Sequence, residues 1–253
     1  MLKLSKNNLR WLAILFMVLD HFAEIFLNPG LEGNSEILTK LHLSQSLAAT
    51  LYDIFVYLGT FTGTAMIYFL IEGYFYTKDV KKYMKRLLLF GLLGQIPFYL
   101  AFRIPVLNML FALAACLCVI YVHYHIYDSA KRRLMIFGLF IVNCFTDWTM
   151  LAVPFTLFLV KAFEPVESGP GFRLDQKRLK FAWCQCFFLI LLVDALSEST
   201  FLKALASVSG FVLAAVLITR FYDDKVYKPS NKWFFYIFYP LHLMIFWIIF
   251  KLI

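Results

Sequence analysis

The stretch LRWLAILFMVLDHFAEIFL, residues 9–27, decides the class of fold. It is long and apolar enough to cross a bilayer, which takes roughly 20 residues of helix for about 30 Å of hydrocarbon. Yet Asp20 and His21 stand side by side within it. Ionisable groups in lipid are rare and usually face a cavity or a partner. The same stretch therefore predicts a membrane helix and marks a place where chemistry is concentrated.

The rest of the chain repeats the first property. Of 253 residues, 62% are hydrophobic and 16% charged, against about a quarter charged in soluble domains. The longest polar stretches, 28–46 and 161–180, leave no room for a sizeable soluble domain. The pattern predicts an all-α, polytopic helical bundle forming a single domain over 1–253. Apolar segments at 9–27, 50–76, 84–102, 105–127, 133–147, 148–163, 178–195, 201–221 and 231–252 give about nine spans.

The formal charge of +8 could indicate nucleic acid or a membrane surface, and its distribution decides. The basic residues cluster in short loops between apolar spans, as membrane orientation requires. Of the 24 Lys and Arg, only Lys40, Arg103, Lys203 and Lys251 fall in the alternate loops. That asymmetry predicts a cytoplasmic N-terminus and an outer C-terminus. No nucleic-acid partner is expected. The first apolar segment is too long for a cleaved signal and lacks a small-residue cleavage site. Cys116, Cys118, Cys144, Cys184 and Cys186 all lie in apolar spans. They read as packing residues, with no disulfide and no metal site expected, since neither C-x-C pair has ligand spacing.

Depth can be read from the basic boundaries. His21 follows Arg10 by eleven residues, roughly 16 Å along a helix, and His242 follows Lys232 by ten, roughly 15 Å. Two histidines can therefore stand at one depth if their helices are neighbours. An imidazole costs less to bury than a carboxylate and suits proton transfer near neutral pH. A helix-bridging hydrogen bond is the alternative role for each. Asp20 points about a quarter-turn from His21 and would meet a cation or hydroxyl on another helix. Glu24, three residues on and closer to the outer interface, shares His21's face more nearly than Asp20 does. Glu72 could pair with Lys78 or Arg86. Gln95 and Asn108 could join helices or line a cavity. Asp147 is placed at a turn. For His123 and His125, position at the membrane interface is a sufficient reading. There is no Walker A, G-x-G-x-x-G or H-E-x-x-H sequence, no G-x-S-x-G elbow, and no matched pair of broken helices of the inverted-repeat transporters.

Four blocks carry a resemblance: LRWLAILFMVLDHFAEIF at the start, FLIEGYFYTKDVKKYMKRLLLFGLLGQIPFYLAF (69–102), NMLFAL (108–113) and KWFFYIFYPLHL (232–243). Together they resemble the TraX family, bacterial membrane proteins named for the enzyme that N-acetylates F-pilin. The match is spread along the chain and poor between about 160 and 230. One departure is visible: GTFTGTAMIYFL (59–70) stands where relatives usually have an aromatic-Pro-aromatic run.

The resemblance implies a multi-pass protein of the bacterial cytoplasmic membrane. It also implies kinship with membrane acyltransferases, which pass an acyl group from cytoplasmic acyl-CoA to an acceptor. Acetyl-CoA would then be the donor substrate, and an amine or hydroxyl of a peptide N-terminus or glycan the acceptor, among membrane lipids. The base role falls on His21, with Asp20 beside it and His242 as a second pocket residue. A developing oxyanion needs a donor, for which Tyr239, Asn108 or a protonated His242 are candidates. Arg10, Lys82 and Arg86 could meet the phosphates of CoA, although topology alone also accounts for basic residues there. Glu24, Glu72 and Asn108 are candidate acceptor contacts. The alternatives are a proton-coupled transporter with Asp20, His21 and Glu24 as a relay, and a noncatalytic membrane scaffold.

Overall fold

A computed structural model describes residues 3–167, 170–198, 200–223 and 232–252. Lys225 and Lys228, counted above as cytoplasmic charges, lie outside the described residues, as does the side chain of Lys232. Among the described residues the protein is all-α apart from one two-stranded hairpin. Six helical segments among the described residues are long and apolar enough to cross a membrane: Lys6–Leu31, Gln45–Tyr76, Val80–Phe102, Gln176–Ser197, Phe201–Phe221 and Trp233–Leu252. Their outward side chains are apolar; Ile96 is 66% and Phe188 67% exposed. In a protein surrounded by water such a surface would be a liability. It fits a protein surrounded by hydrocarbon.

The remaining expected spans form shorter helices: α6 (Met109–His125), α7 (Ser129–Asn143) and α8 (Ala152–Val160). The nine residues of α8 make a rod of roughly 14 Å, about half a bilayer core. The chain between α7 and α8 is a built turn. Asn143 donates its amide to the Thr146 hydroxyl at 2.8 Å and accepts from the Val153 amide at 3.2 Å. Leu107 and Thr146 are bridged, through bonds from the Leu107 amide to the Phe145 carbonyl and from the Asp147 amide to the Leu107 carbonyl. Asp147 also accepts from the Trp148 amide. Trp148 and Met150 take left-handed backbone conformations here, at φ 59° and 62°, which cost energy in side-chain-bearing residues.

The chain forms two compact units. The first comprises Met1–Ala65, Leu93–Pro105 and Asp194–Ile253. It holds α1 (Lys6–Phe22), a π-helical turn (Ala23–Leu27), α2 (Asn28–Leu31), α3 (Ser35–Lys40) and α4 (Gln45–Tyr76) as far as Ala65. The last residues of α5 (Val80–Phe102), then α10 (Phe201–Ser207), α11 (Ser209–Val216), a second π-helical turn (Leu217–Phe221) and α12 (Lys232–Leu252) complete it. Ser5 caps α1, accepting from the Asn8 amide. Leu4 pairs through its backbone with Phe221 and Asp223, pinning the chain start to the exit from α11.

Close helix packing in this unit comes from the GTFTGT run. Apolar driving force between helices is weak in lipid, so small residues and hydroxyls hold helices together. Thr62 donates to the Ala13 carbonyl of α1 at 2.8 Å. A methyl at Gly59 would lie 2.6 Å from the Asp20 carboxyl carbon. Across the other crossing, a Cβ at Gly210 of α11 would stand 2.4 Å from the Tyr57 carbonyl oxygen and 2.7 Å from the Thr60 hydroxyl. The obstacle is backbone, which cannot rotate away. Gly210→Val is therefore expected to destabilise the protein by about 1–3 kcal/mol or more, measured as a shift of the denaturation midpoint in detergent. A midpoint equal to wild type would mean that α4 and α11 do not pack closely.

The second unit comprises Met66–Leu92 and Val106–Val193. In it α6 packs on α7 and α8, around Ala115, Val119 and Val153. Strands β1 (Phe163–Pro165) and β2 (Phe172–Leu174) pair antiparallel, in a segment whose sequence reads as a loop. Asp175 then starts α9 (Gln176–Ser197) by accepting from the Lys177 and Arg178 amides. Those bonds hold its carboxyl below the usual carboxylate range.

Candidate active site

The site is built where α12 packs on α1 and on the π-helical turn that follows it. His21 and His242 are both buried. Nδ1 of His21 lies 2.7 Å from Nε2 of His242. Their ring centroids are 5.0 Å apart and their planes differ by 6°. With a nitrogen–nitrogen contact this short, that centroid distance is reached only if both ring radii lie along the line joining them. The rings therefore meet edge to edge in one plane, as a hydrogen bond requires, and are not stacked face on face.

One further contact fixes the protons. Nδ1 of His242 is 2.9 Å from the carbonyl oxygen of Phe238, one turn earlier in the same helix. A carbonyl can only accept, so Nδ1 of His242 carries the hydrogen. In a neutral ring its Nε2 is then an acceptor. Nδ1 of His21 must therefore be the donor, which leaves the lone pair of His21 on Nε2. The order of the chain is carbonyl, His242, His21, then the basic Nε2 of His21. The same logic orients catalytic histidines elsewhere: the bond at one ring nitrogen selects the tautomer that exposes the other.

Aromatic rings complete the surroundings. Phe102 meets the His21 ring edge-on at 5.1 Å. Tyr239, buried, lies 6.4 Å from His21 and 5.9 Å from His242 between ring centroids. Phe238 and Phe246 flank His242. The turn after His21 is π-helical, closed by the Asn28 amide on the Ala23 carbonyl. Such bulges recur at functional sites, where they re-aim side chains.

The acidic neighbours turn the other way. Asp20 lies against Gly59 of α4. Glu24 accepts from the Tyr52 hydroxyl at 2.9 Å, also on α4, and from the side-chain amide of Asn28 at 3.5 Å. Tyr52 and Gly59 are seven residues apart, two turns of one face of α4. Glu24 thus shares the face of Asp20, four residues before it, and not that of His21 as the sequence reading had it. An i,i+4 pair is 40° apart on a helix and an i,i+3 pair 60°, so this is the closer alignment.

Among the expected anion contacts, Arg10 holds its guanidinium over the Phe235 ring at 5.3 Å, beside the Trp11–Phe234 pair. This forms a basic and aromatic collar where α1 and α12 begin. In the second unit Lys82 lies 3.7 Å from Asp79. Asp79 also accepts the Lys82 amide, the chief reason its carboxyl sits below the usual range. Arg86 stacks on Tyr83 at 5.5 Å, and its Nε is buried with no hydrogen-bond partner. Glu72 is buried as well. Asn108 is the N-cap of α6: it accepts from the Leu110 amide and donates to the Gly91 carbonyl at 2.7 Å. That accounts structurally for a buried amide read as helix glue, oxyanion donor or acceptor contact.

Of the ten residues singled out, the first unit thus brings together His21, His242 and Tyr239, with Asp20 and Glu24 on the adjoining face of α1. Tyr52, Phe102 and the Phe238 carbonyl were not anticipated. A main-chain acceptor leaves no trace in sequence, but a glycine facing Asp20 was a readable sign of close approach. Among the described residues no group of three or more His, Cys, Asp or Glu could hold a metal ion.

Comparison with known proteins gives this arrangement a family. Residues 5–250 match the family described as TraX protein. A probable fimbrial assembly protein, FimC of serogroup H1 from Dichelobacter nodosus, is 26% identical over 257 residues, covering 94% of this chain and 93% of that protein. No solved structure matches. The histidine pair and the π-turn behind it thus lie within a match that runs almost end to end, and the chain belongs to the TraX family.

Proposed function

We propose that this multi-pass membrane protein is an acyltransferase of the bacterial cytoplasmic membrane. It moves an acetyl group from acetyl-CoA to an amine or hydroxyl of a surface-structure component, such as a peptide N-terminus or a glycan. The observation that carries this reading is the tautomer chain, which supplies a buried base with a defined basic atom. As the acceptor nitrogen or oxygen attacks the thioester carbonyl, its proton passes to Nε2 of His21. The charge that develops on His21 is then held by its Nδ1–H bond to Nε2 of His242, and His242 is anchored in turn by the Phe238 carbonyl. As the C–S bond breaks, the same Nε2 returns a proton to the leaving sulfur. Tyr239, whose ring borders both histidines, is the candidate donor to the oxyanion. Arg10, Lys82 and Arg86 are candidate partners for donor phosphates.

Nine spans with the N-terminus inside remain our proposed topology, on the strength of the charge asymmetry. It requires α6, α7 and α8 to cross locally thinned or protein-lined regions, since each is short for a bilayer. The fimbrial name of the relative supports a pilus or fimbrial component as acceptor. A relay of Asp20, His21 and Glu24, as a transporter would need, is less well supported, because the two carboxylates face α4 while His21 faces α12.

The test is turnover of labelled acetyl-CoA by the purified protein in the presence of a membrane extract. CoA release coupled to label appearing on one extract component is expected. Neither release nor label transfer, with a pH-gradient-driven flux in proteoliposomes instead, would overturn the reading in favour of transport.

A further inference from the structure

The second unit holds a cavity of about 390 Å³ lined by His123, Phe158, Lys161, Arg178, Phe181 and Gln185. Three helix ends build it: the end of α6, the end of α8 and the start of α9. Lys161, Arg178 and Phe181 are exposed at it, while His123, Phe158 and Gln185 are partly buried. Arg178, Phe181 and Gln185 lie at i, i+3 and i+7, one face of α9. The lining thus passes from two cations, over a phenyl ring, to an amide roughly 10 Å further along the helix. Arg178 is held in place by Glu164 at 2.9 Å and Asp175 at 3.4 Å. These carboxylates use part of its donor fork and offset its charge. Lys161 supplies the other charge, and both it and Arg132 bear electrostatically on His123. Arg173, in β2, and Lys177 and Lys180, in the first turns of α9, flank the same helix start in sequence.

A site graded from cationic to aromatic along a membrane helix fits an amphipathic anion. We propose that this cavity binds an anionic phospholipid, its phosphate at Lys161 and Arg178 and its acyl chain running past Phe181 and Phe158 toward Gln185. Basic pockets between membrane helices are a recurrent way of holding acidic headgroups. Inorganic phosphate shares the headgroup's charge but has no use for the exposed phenyl ring, and a nucleotide, which could stack on it, is separated from a lipid by the competition below. The proposal stands independently of the acyltransfer reading, because it concerns binding alone.

The test titrates phosphatidylglycerol carrying a fluorescent acyl chain into the full chain in neutral detergent, beside phosphatidylcholine with the same label. Tighter binding of phosphatidylglycerol is expected. Lys161→Ala, at an exposed position and checked for an unchanged denaturation midpoint, is expected to weaken it roughly fivefold, the equivalent of about 1 kcal/mol per basic residue. Phe181→Asn is expected to weaken both lipids. Inorganic phosphate and free CoA, added as competitors, should leave phosphatidylglycerol bound. Equal affinity for the two lipids, or indifference to Lys161→Ala, overturns the proposal. Displacement by CoA that itself depends on Lys161 also overturns it, by showing that the occupant is a soluble phosphate compound.

Discussion

Replacing His21 with alanine is expected to lower acetyl transfer by roughly 10²–10⁴-fold, the usual contribution of a positioned general base. The loss should fall on kcat, because the imidazole acts on the proton that moves as the acceptor attacks. The pH profile distinguishes this from damage to the fold. Wild-type activity should climb with pH as His21 loses its proton, and that limb should vanish in His21→Ala. The variant must first elute and denature like wild type, since it loses a buried ring packed on Phe102. Normal transfer by a folded, inserted His21→Ala protein would remove His21 from the chemistry and leave the histidine pair a structural bridge between α1 and α12.

How far this site was legible in the sequence depends on what kind of information each part needed. The shared depth of His21 and His242 was readable because helical rise is fixed and a basic residue marks each boundary. The membrane class was readable because hydropathy is a property of windows. That α8 stops at nine residues was not. Hydropathy counts apolar residues and is blind to the side-chain bonds of Asn143 and Thr146 that turn the chain. The facing of Glu24 was misjudged from a choice between adjacent helical offsets, which only a partner on another helix could settle, and Tyr52 lies 28 residues away. Asn108 joins α6 to α5 through the Gly91 carbonyl, the helix-joining role its sequence position allowed, and its place just before the apolar run of α6 also carries an N-cap signal. The GTFTGT run stands in the sequence as a departure from relatives. Its meaning, a surface on which α1 and α11 pack closely, follows from small residues and threonines recurring on a helix that lies in lipid.

His242 tests the proton arrangement itself. As a positioning residue it should leave acceptor and donor binding nearly unchanged while lowering kcat. His242→Ala removes the acceptor for the His21 Nδ1–H, so the His21 ring can rotate or carry its proton on the wrong nitrogen. A loss of about 10²-fold is expected, bounded by the roughly 10⁴-fold fall when a triad histidine is held in the wrong tautomer. His242→Gln is the informative contrast. Its carbonyl oxygen can accept from His21, which preserves the tautomer, and it should recover a substantial part of the activity with an unchanged KM. Because His21 is still the base, the rising limb of the pH profile should persist in both variants, unlike in His21→Ala. If the histidine pair were merely a bridge between helices, alanine and glutamine would differ in stability and not in kcat. If His242 were the base and His21 its support, the rising limb would disappear in His242→Gln and survive in His21→Gln. The directionality argued from the Phe238 carbonyl would then be reversed, with His21 orienting a base on α12.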